Sequence, residues 1–199
     1  MGDVTDTDAP AQPQREVGWD RKVLALHTRF EQAGISHAIG GAIAMNYHRE
    51  PRSTLDVDIN VFVAPERQAE VLAVLGSLFD VPDRQRVEQQ LAHDGQSRAA
   101  WGSTYVDVFL ATVPFHESMA QRVEQRPFGD VVIPVIAIED LLICKALFGR
   151  PKDWVDVAAV VAAEGPQLDR EYISVWLQQF LEPGDERIDR MTEALQREA

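Results

Sequence analysis

The chain is short of the residues that build the simplest kinds of site. A single cysteine, Cys144, excludes an intrachain disulfide and any cysteine-rich metal centre. There are three lysines, Lys22, Lys145 and Lys152, against many arginines, and two of the three fall in one short segment. No apolar run is long enough to span a bilayer, so no membrane partner is expected. The opening stretch MGDVTDTDAPAQPQRE lacks the basic start and apolar middle of a secretory leader. Its polar, proline-containing composition predicts a disordered tail over residues 1–16. A cytoplasmic location is the default expectation. An excess of positive charge is also missing. The formal net charge of −13 argues against a general nucleic-acid coat protein, but not against a local basic groove. It suits a cationic small substrate or a basic partner protein somewhat better.

What is present is enough for a core. With 199 residues and 45% apolar content, the chain can form one domain, or one plus a small helical extension. The central stretch, residues 38–63, reads AIGGAIAMNYHREPRSTLDVDINVFV. It predicts a strand, a tight glycine turn, a short helix, a loop and a second strand. Gly40 and Gly41 follow the apolar strand over 37–39 and precede a small-residue helix. Glycine there lets backbone N–H groups approach a phosphate closely at the positive end of a helix. In the second strand Leu55, Val57, Ile59, Val61 and Val63 alternate onto one apolar face. Asp56 and Asp58 then share the other face. Two adjacent carboxylates repel one another unless a hard cation such as Mg2+ lies between them.

This combination resembles the nucleotidyltransferase superfamily that includes DNA polymerase beta. Its pattern is a Gly-Gly or Gly-Ser turn, a short helix, then Asp-x-Asp on the next strand. The local form GGAIAMNYHREPRSTLDVDI is most similar to the AbiEii-type branch, which includes toxin nucleotidyltransferases of toxin–antitoxin systems. The resemblance implies an α+β fold: a small mixed sheet flanked by helices over residues 17–135, with a helical region over 136–199. It also implies an NTP substrate, two Mg2+ ions as cofactors and transfer of a nucleotide to an acceptor hydroxyl.

The loop HREPRSTLD carries Arg52 just before the carboxylate strand. Its guanidinium would suit bidentate contact with a triphosphate. The alternative is an ion pair with Asp56 or Asp58 in the empty site. Further on, residues 98–101 and 104–111 predict a hairpin around Gly102 and Ser103. Asp107 is an isolated acid in its second strand and needs a partner or a metal. The superfamily has a third carboxylate on a strand beside Asp-x-Asp, and Asp107 matches that place. It would complete the metal set with Asp56 and Asp58 and could take the acceptor's proton. The alternative is an edge-strand acid facing water.

Residues 137–150 predict a helix whose apolar stripe, Ile138, Leu141, Leu142 and Phe148, includes Lys145. An inward lysine needs an anion, and a phosphate is one; a snorkelling side chain that reaches water is the alternative. The segment LLICKALFGRPKDWVDV also matches the AbiEii-like lysine helix and its Arg/Lys-Asp-x-x-Asp continuation. Lys145, Arg150, Lys152, Asp153 and Asp156 are the matching positions. The resemblance implies that Lys145 and Asp153 act with Asp56, Asp58 and Asp107 in catalysis. It implies that Gly40, Gly41, Arg52, Lys145, Arg150 and Lys152 hold the nucleotide. For Asp153 and Asp156, helix-dipole stabilisation at a helix start is the other reading. The two matched regions span about residues 36–163.

Helices are also expected over residues 19–33, 65–79, 115–126, 169–180 and 182–197. Residues 81–95 are expected to form a short strand or loop. His27 and His37 have no partner at metal-ligand spacing and read as surface or core-edge histidines. The closest resemblance implies a toxin that acts on RNA, plausibly a tRNA 3′ end, together with a cognate antitoxin. The acidic balance would instead suit an aminoglycoside-type antibiotic as acceptor. A catalytically inert nucleotidyltransferase fold used as a binding module is the third reading.

Overall fold

The computed structural model describes residues 17–51 and 54–196; Arg52 and the tail expected over residues 1–16 lie outside the described residues. In chain order the elements are α1 (Trp19–Gln32), β1 (His37–Ile39), α2 (Gly41–Met45) and β2 (Asp56–Val61). A 3-10 turn then leads into α3 (Gln68–Gly76), followed by α4 (Arg84–Asp94), β3 (Gln96–Trp101), β4 (Thr104–Leu110) and α5 (Pro114–Gln121). The remainder is β5 (Glu124–Phe128), β6 (Val131–Val135), α6 (Ile138–Phe148), α7 (Pro151–Glu164), α8 (Arg170–Phe180) and α9 (Glu186–Gln196).

The six strands form one mixed sheet in the order β3-β4-β2-β1-β6-β5. β2 runs parallel to β4 and β1 parallel to β6, while the other neighbours are antiparallel. The α+β class read from the sequence is therefore the observed one. Alternation works as expected in the centre. Val57, Ile59 and Val61 of β2 and Val106, Val108 and Leu110 of β4 are essentially inaccessible. Burying each such side chain is worth about 1.5–3 kcal/mol. β2 is shorter than the predicted strand, and Leu55, just before it, is 64% exposed.

Two expectations are corrected. Residues 81–95 contain a helix, α4, rather than a strand or loop. Val87 and Leu91 are its only buried residues, one turn apart, and two positions are too few to announce a helical period. The helix expected over 115–126 stops at Gln121, and residues 124–128 are the edge strand β5. Pairing with β6, in which Arg126 lies opposite Ile133, overrides the local helical pattern there.

Three polar contacts fix the frame around the sheet. Lys22 is 1% exposed, and its ammonium donates to the Trp101 carbonyl (2.7 Å) and to Thr104 Oγ1 (3.1 Å). It ties α1 to the β3–β4 turn. His27 and His37 bond to each other, Nδ1 to Nε2, at 3.0 Å. His37 Nδ1 lies 3.0 Å from the Ile35 carbonyl and must donate to it, so His37 Nε2 accepts from His27. Farther along, the fully buried Asp140 accepts from the Tyr172 hydroxyl (2.6 Å) and joins α6 to α8. Among the described residues no helix is long and apolar enough to cross a membrane.

Candidate active site

Strand parity decides which side chains meet. Asp56 and Asp58 lie on the face of β2 opposite its buried valines and isoleucine. In the parallel β2–β4 ladder Asp58 stands directly opposite Asp107, and Asp56 opposite Tyr105. Facing residues on adjacent strands point the same way, so the three carboxylates share one sheet face. They line an open cleft of about 430 Å3.

The glycine turn closes on this group. Gly40 donates its N–H to the Asp58 carbonyl at 2.9 Å, holding the turn against β2. Gly41 has φ +56°, a left-handed conformation. A Cβ on residue 41 would lie 1.8 Å from Asp58 Oδ2. Glycine is required there by both backbone and space.

The electrostatics are those of crowded acids. Burial, reinforced by the Asp107 and Asp56 carboxylates, pushes the Asp58 carboxyl up to about 6. Asp107 is held by a residue that the sequence reading passed over. Arg98 lies opposite it in the β3–β4 ladder and donates Nε to Oδ1 (2.7 Å) and Nη2 to Oδ2 (2.6 Å). The same Nη2 lies 3.6 Å from Asp56 Oδ2. The signal was present in the hairpin. Counting outward from the Gly102–Ser103 turn pairs Trp101 with Thr104 and, three steps on, Arg98 with Asp107.

The lysine helix reaches the same cleft. Lys145 is 7% exposed and lines the cavity with Asp56 and Asp58. Its ammonium donates to Asp156 Oδ2 at 2.6 Å and lies 3.5 Å from Asp153 Oδ1. The sequence reading named water or a phosphate as its partner; two carboxylates are added to these, because α7 packs its acids against the inward stripe of α6. Arg49, from the loop before β2, lies 3.2 Å from the other Asp156 oxygen. Asp153 is 1% exposed, accepts from the Arg150 N–H and guanidinium, and caps the start of α7. That placement matches the helix-start reading of Asp153, which also contributes to the lining of the cleft. Arg150 and Lys152 line the cleft.

Helix α4, absent from the sequence reading, supplies another wall with Arg86, Gln90 and Asp94. Phe109 and the 54% exposed Phe148 line both the polar cleft and an adjoining, more apolar cavity of about 350 Å3. Burial pushes the Cys144 thiol up to about 12, so it is no nucleophile at neutral pH.

The donor chemistry fits a hard divalent cation. Asp56, Asp58 and Asp107 offer carboxylate oxygens on adjacent strands, and the repulsion that adds to burial in raising Asp58 is what a cation would relieve. Among the described residues no three acids, histidines or cysteines are already gathered into a cage, and Arg98 occupies both oxygens of Asp107.

Comparison with known proteins agrees with this arrangement. The chain is similar over 89% of its length to antibiotic-resistance factor ANT(2'')-Ia, whose solution structure it matches with a TM-score of 0.52 at 15% identity, covering 91% of that chain. It is also similar to an antigenic nucleotidyltransferase-like protein from Paracoccidioides brasiliensis, with a TM-score of 0.51 at 16% identity, over 89% of this chain and 92% of that one. Both likenesses concern the fold. No curated protein matches the chain. The family described as nucleotidyl transferase AbiEii toxin, Type IV TA system, matches residues 29–199. A glycine turn closed on Asp58, an in-register pair of acids on β2 and β4, and that match over most of the chain lead to one conclusion: this protein belongs to the AbiEii nucleotidyltransferase toxin family.

Proposed function

We propose that this nucleotidyltransferase moves an NMP from an NTP to an acceptor hydroxyl on RNA, with a tRNA 3′ end as the first acceptor to test. The observation that carries the reading is the register of Asp58 against Asp107 with Asp56 alongside, under the glycine turn. Asp56, Asp58 and Asp107 would hold two Mg2+ ions. When bound, these supply charge neutralisation along the phosphates and favour the ionised acceptor oxygen. The protein's own residues do the rest. The Gly40–Gly41 turn admits phosphate oxygens close to the backbone, and Arg150 and Lys152 present cations at the cleft. Arg52 is proposed to add a guanidinium from the loop before β2. The acceptor oxygen forms a bond to the α-phosphorus and the bond to the β-phosphate oxygen breaks in line. Pyrophosphate leaves, and the acceptor's proton passes to Asp107.

The cleft gathers cations in a chain of net charge −13: Arg86, Arg98, Lys145, Arg150 and Lys152 line it, beside five acids, Asp56, Asp58, Asp94, Asp107 and Asp153. Divalent cations held by the acids would leave these five basic side chains to attract an anionic substrate. The toxin family implies an antitoxin partner.

The second reading is transfer to a cationic antibiotic. It rests on the fold shared with antibiotic-resistance factor ANT(2'')-Ia and on the acidic balance. Incubating the protein with each labelled NTP, Mg2+ and total tRNA, with an aminoglycoside arm in parallel, separates the two. Label in the tRNA supports the RNA reading. Label in the aminoglycoside alone replaces it.

A further inference from the structure

Arg98 holds the acids of the site together. Its guanidinium grips both oxygens of Asp107 at 2.7 and 2.6 Å and lies 3.6 Å from Asp56. Among the described residues it is the side chain that forms ion pairs with both Asp107 and Asp56. Yet its side chain is 52% exposed, unlike that of Asp107 at 15%. The guanidinium carbon lies 5.0 Å from the centre of the Tyr105 ring, and Tyr105 is itself 47% exposed. Released from Asp107, Arg98 would still have water on one side and an aromatic face on the other. Release is therefore cheap for Arg98, while Asp107 cannot leave a buried strand.

A guanidinium that uses both oxygens of a carboxylate competes with any hard cation for the same lone pairs. We propose that Arg98 is the resident counter-cation of the site and gives up Asp107 when a divalent cation binds. This rests on the reading of Asp56, Asp58 and Asp107 as the cation site. Arg98 is then a positioning residue. It keeps Asp107 and Asp56 in place while the site is empty, and it sets the cation concentration at which the site fills.

The test uses Mn2+ alone, without nucleotide, titrated calorimetrically into metal-free protein. Arg98→Met keeps the stem over Tyr105 and removes the competing charge. It should bind Mn2+ roughly two- to fivefold more tightly than wild type, the range expected when a half-exposed ion pair no longer has to be broken. A merely structural clamp predicts the reverse, since losing it would loosen β3 against β4 and weaken the site. Equal or weaker Mn2+ binding by Arg98→Met, with wild-type circular dichroism, overturns the proposal. A second measurement on the wild type covers a variant that fails to fold. The Arg98 Nε–H resonance, assigned by comparison with Arg98→Lys, should shift and lose protection from exchange as Mg2+ saturates the protein. If Mg2+ binds and that resonance stays unmoved, Arg98 is not displaced and the proposal alone fails. If wild type binds neither ion, the cation-site reading fails with it.

Discussion

The Asp58 carboxylate occupies the space into which a side chain on residue 41 would grow, with Oδ2 only 1.8 Å from where a Cβ would stand. Gly41→Ala should therefore do two things at once. It forces alanine into a left-handed conformation, at a cost of about 1–2 kcal/mol, and it expels Asp58 from its place beside Asp107. Transfer should fall by at least a hundredfold. Gly34→Ala is the control, because Gly34 also has positive φ but its Cβ would meet nothing within 4 Å. That variant should show the strain as a lowered Tm and keep full transfer.

The raised Asp58 carboxyl makes stability depend on pH in a defined direction. Its folded value, about 6, lies above the ordinary carboxylate value of 3.8, so folding favours the protonated form. The contribution is fully present below about pH 4 and is lost as pH rises through 6. Asp58→Asn should thus equal wild type near pH 4 in metal-free buffer. At pH 8 it should be more stable by about 1–3 kcal/mol, read from urea melts. Mg2+ should raise the wild-type melting temperature at pH 8 and raise that of Asp58→Asn less.

Lys145 carries a charge that two buried acids share. Lys145→Met leaves Asp156 with Arg49 and Asp153 with Arg150, so part of the compensation survives. The variant should lose about 2–3 kcal/mol of stability, somewhat less than for a fully broken buried pair. Adding Asp156→Asn should restore most of that loss. Transfer should not return in the double variant if the ammonium is needed for the nucleotide. Recovery of both stability and transfer would make Lys145 a purely structural cation.

Growth provides a test in cells. Expressed without a partner, a toxin of this family should slow or stop growth, and Asp56→Ala should restore it while leaving the soluble yield unchanged. Equal growth curves for the two proteins would favour the antibiotic-type acceptor.

Local pattern alone determined much of this protein. The glycine turn, the parity that puts Asp56 and Asp58 on one face, and the hairpin that carries Asp107 follow from period-two alternation and turn chemistry. Both operate within a few residues. The inward face of Lys145 was legible for the same reason, from helical spacing. Tertiary structure alone decided the partners. Whether an inward ammonium meets phosphate, water or carboxylate depends on how α7 packs on α6, and that packing places Asp156 2.6 Å from Lys145. Helix α4 was hidden because its polar surface lines the cleft, leaving only Val87 and Leu91 to mark an apolar stripe. Arg98 shows the boundary most clearly. The hairpin's register places it opposite Asp107, but its reach to Asp56 depends on β4 pairing with β2, a contact between strands distant in the chain that no local periodicity encodes.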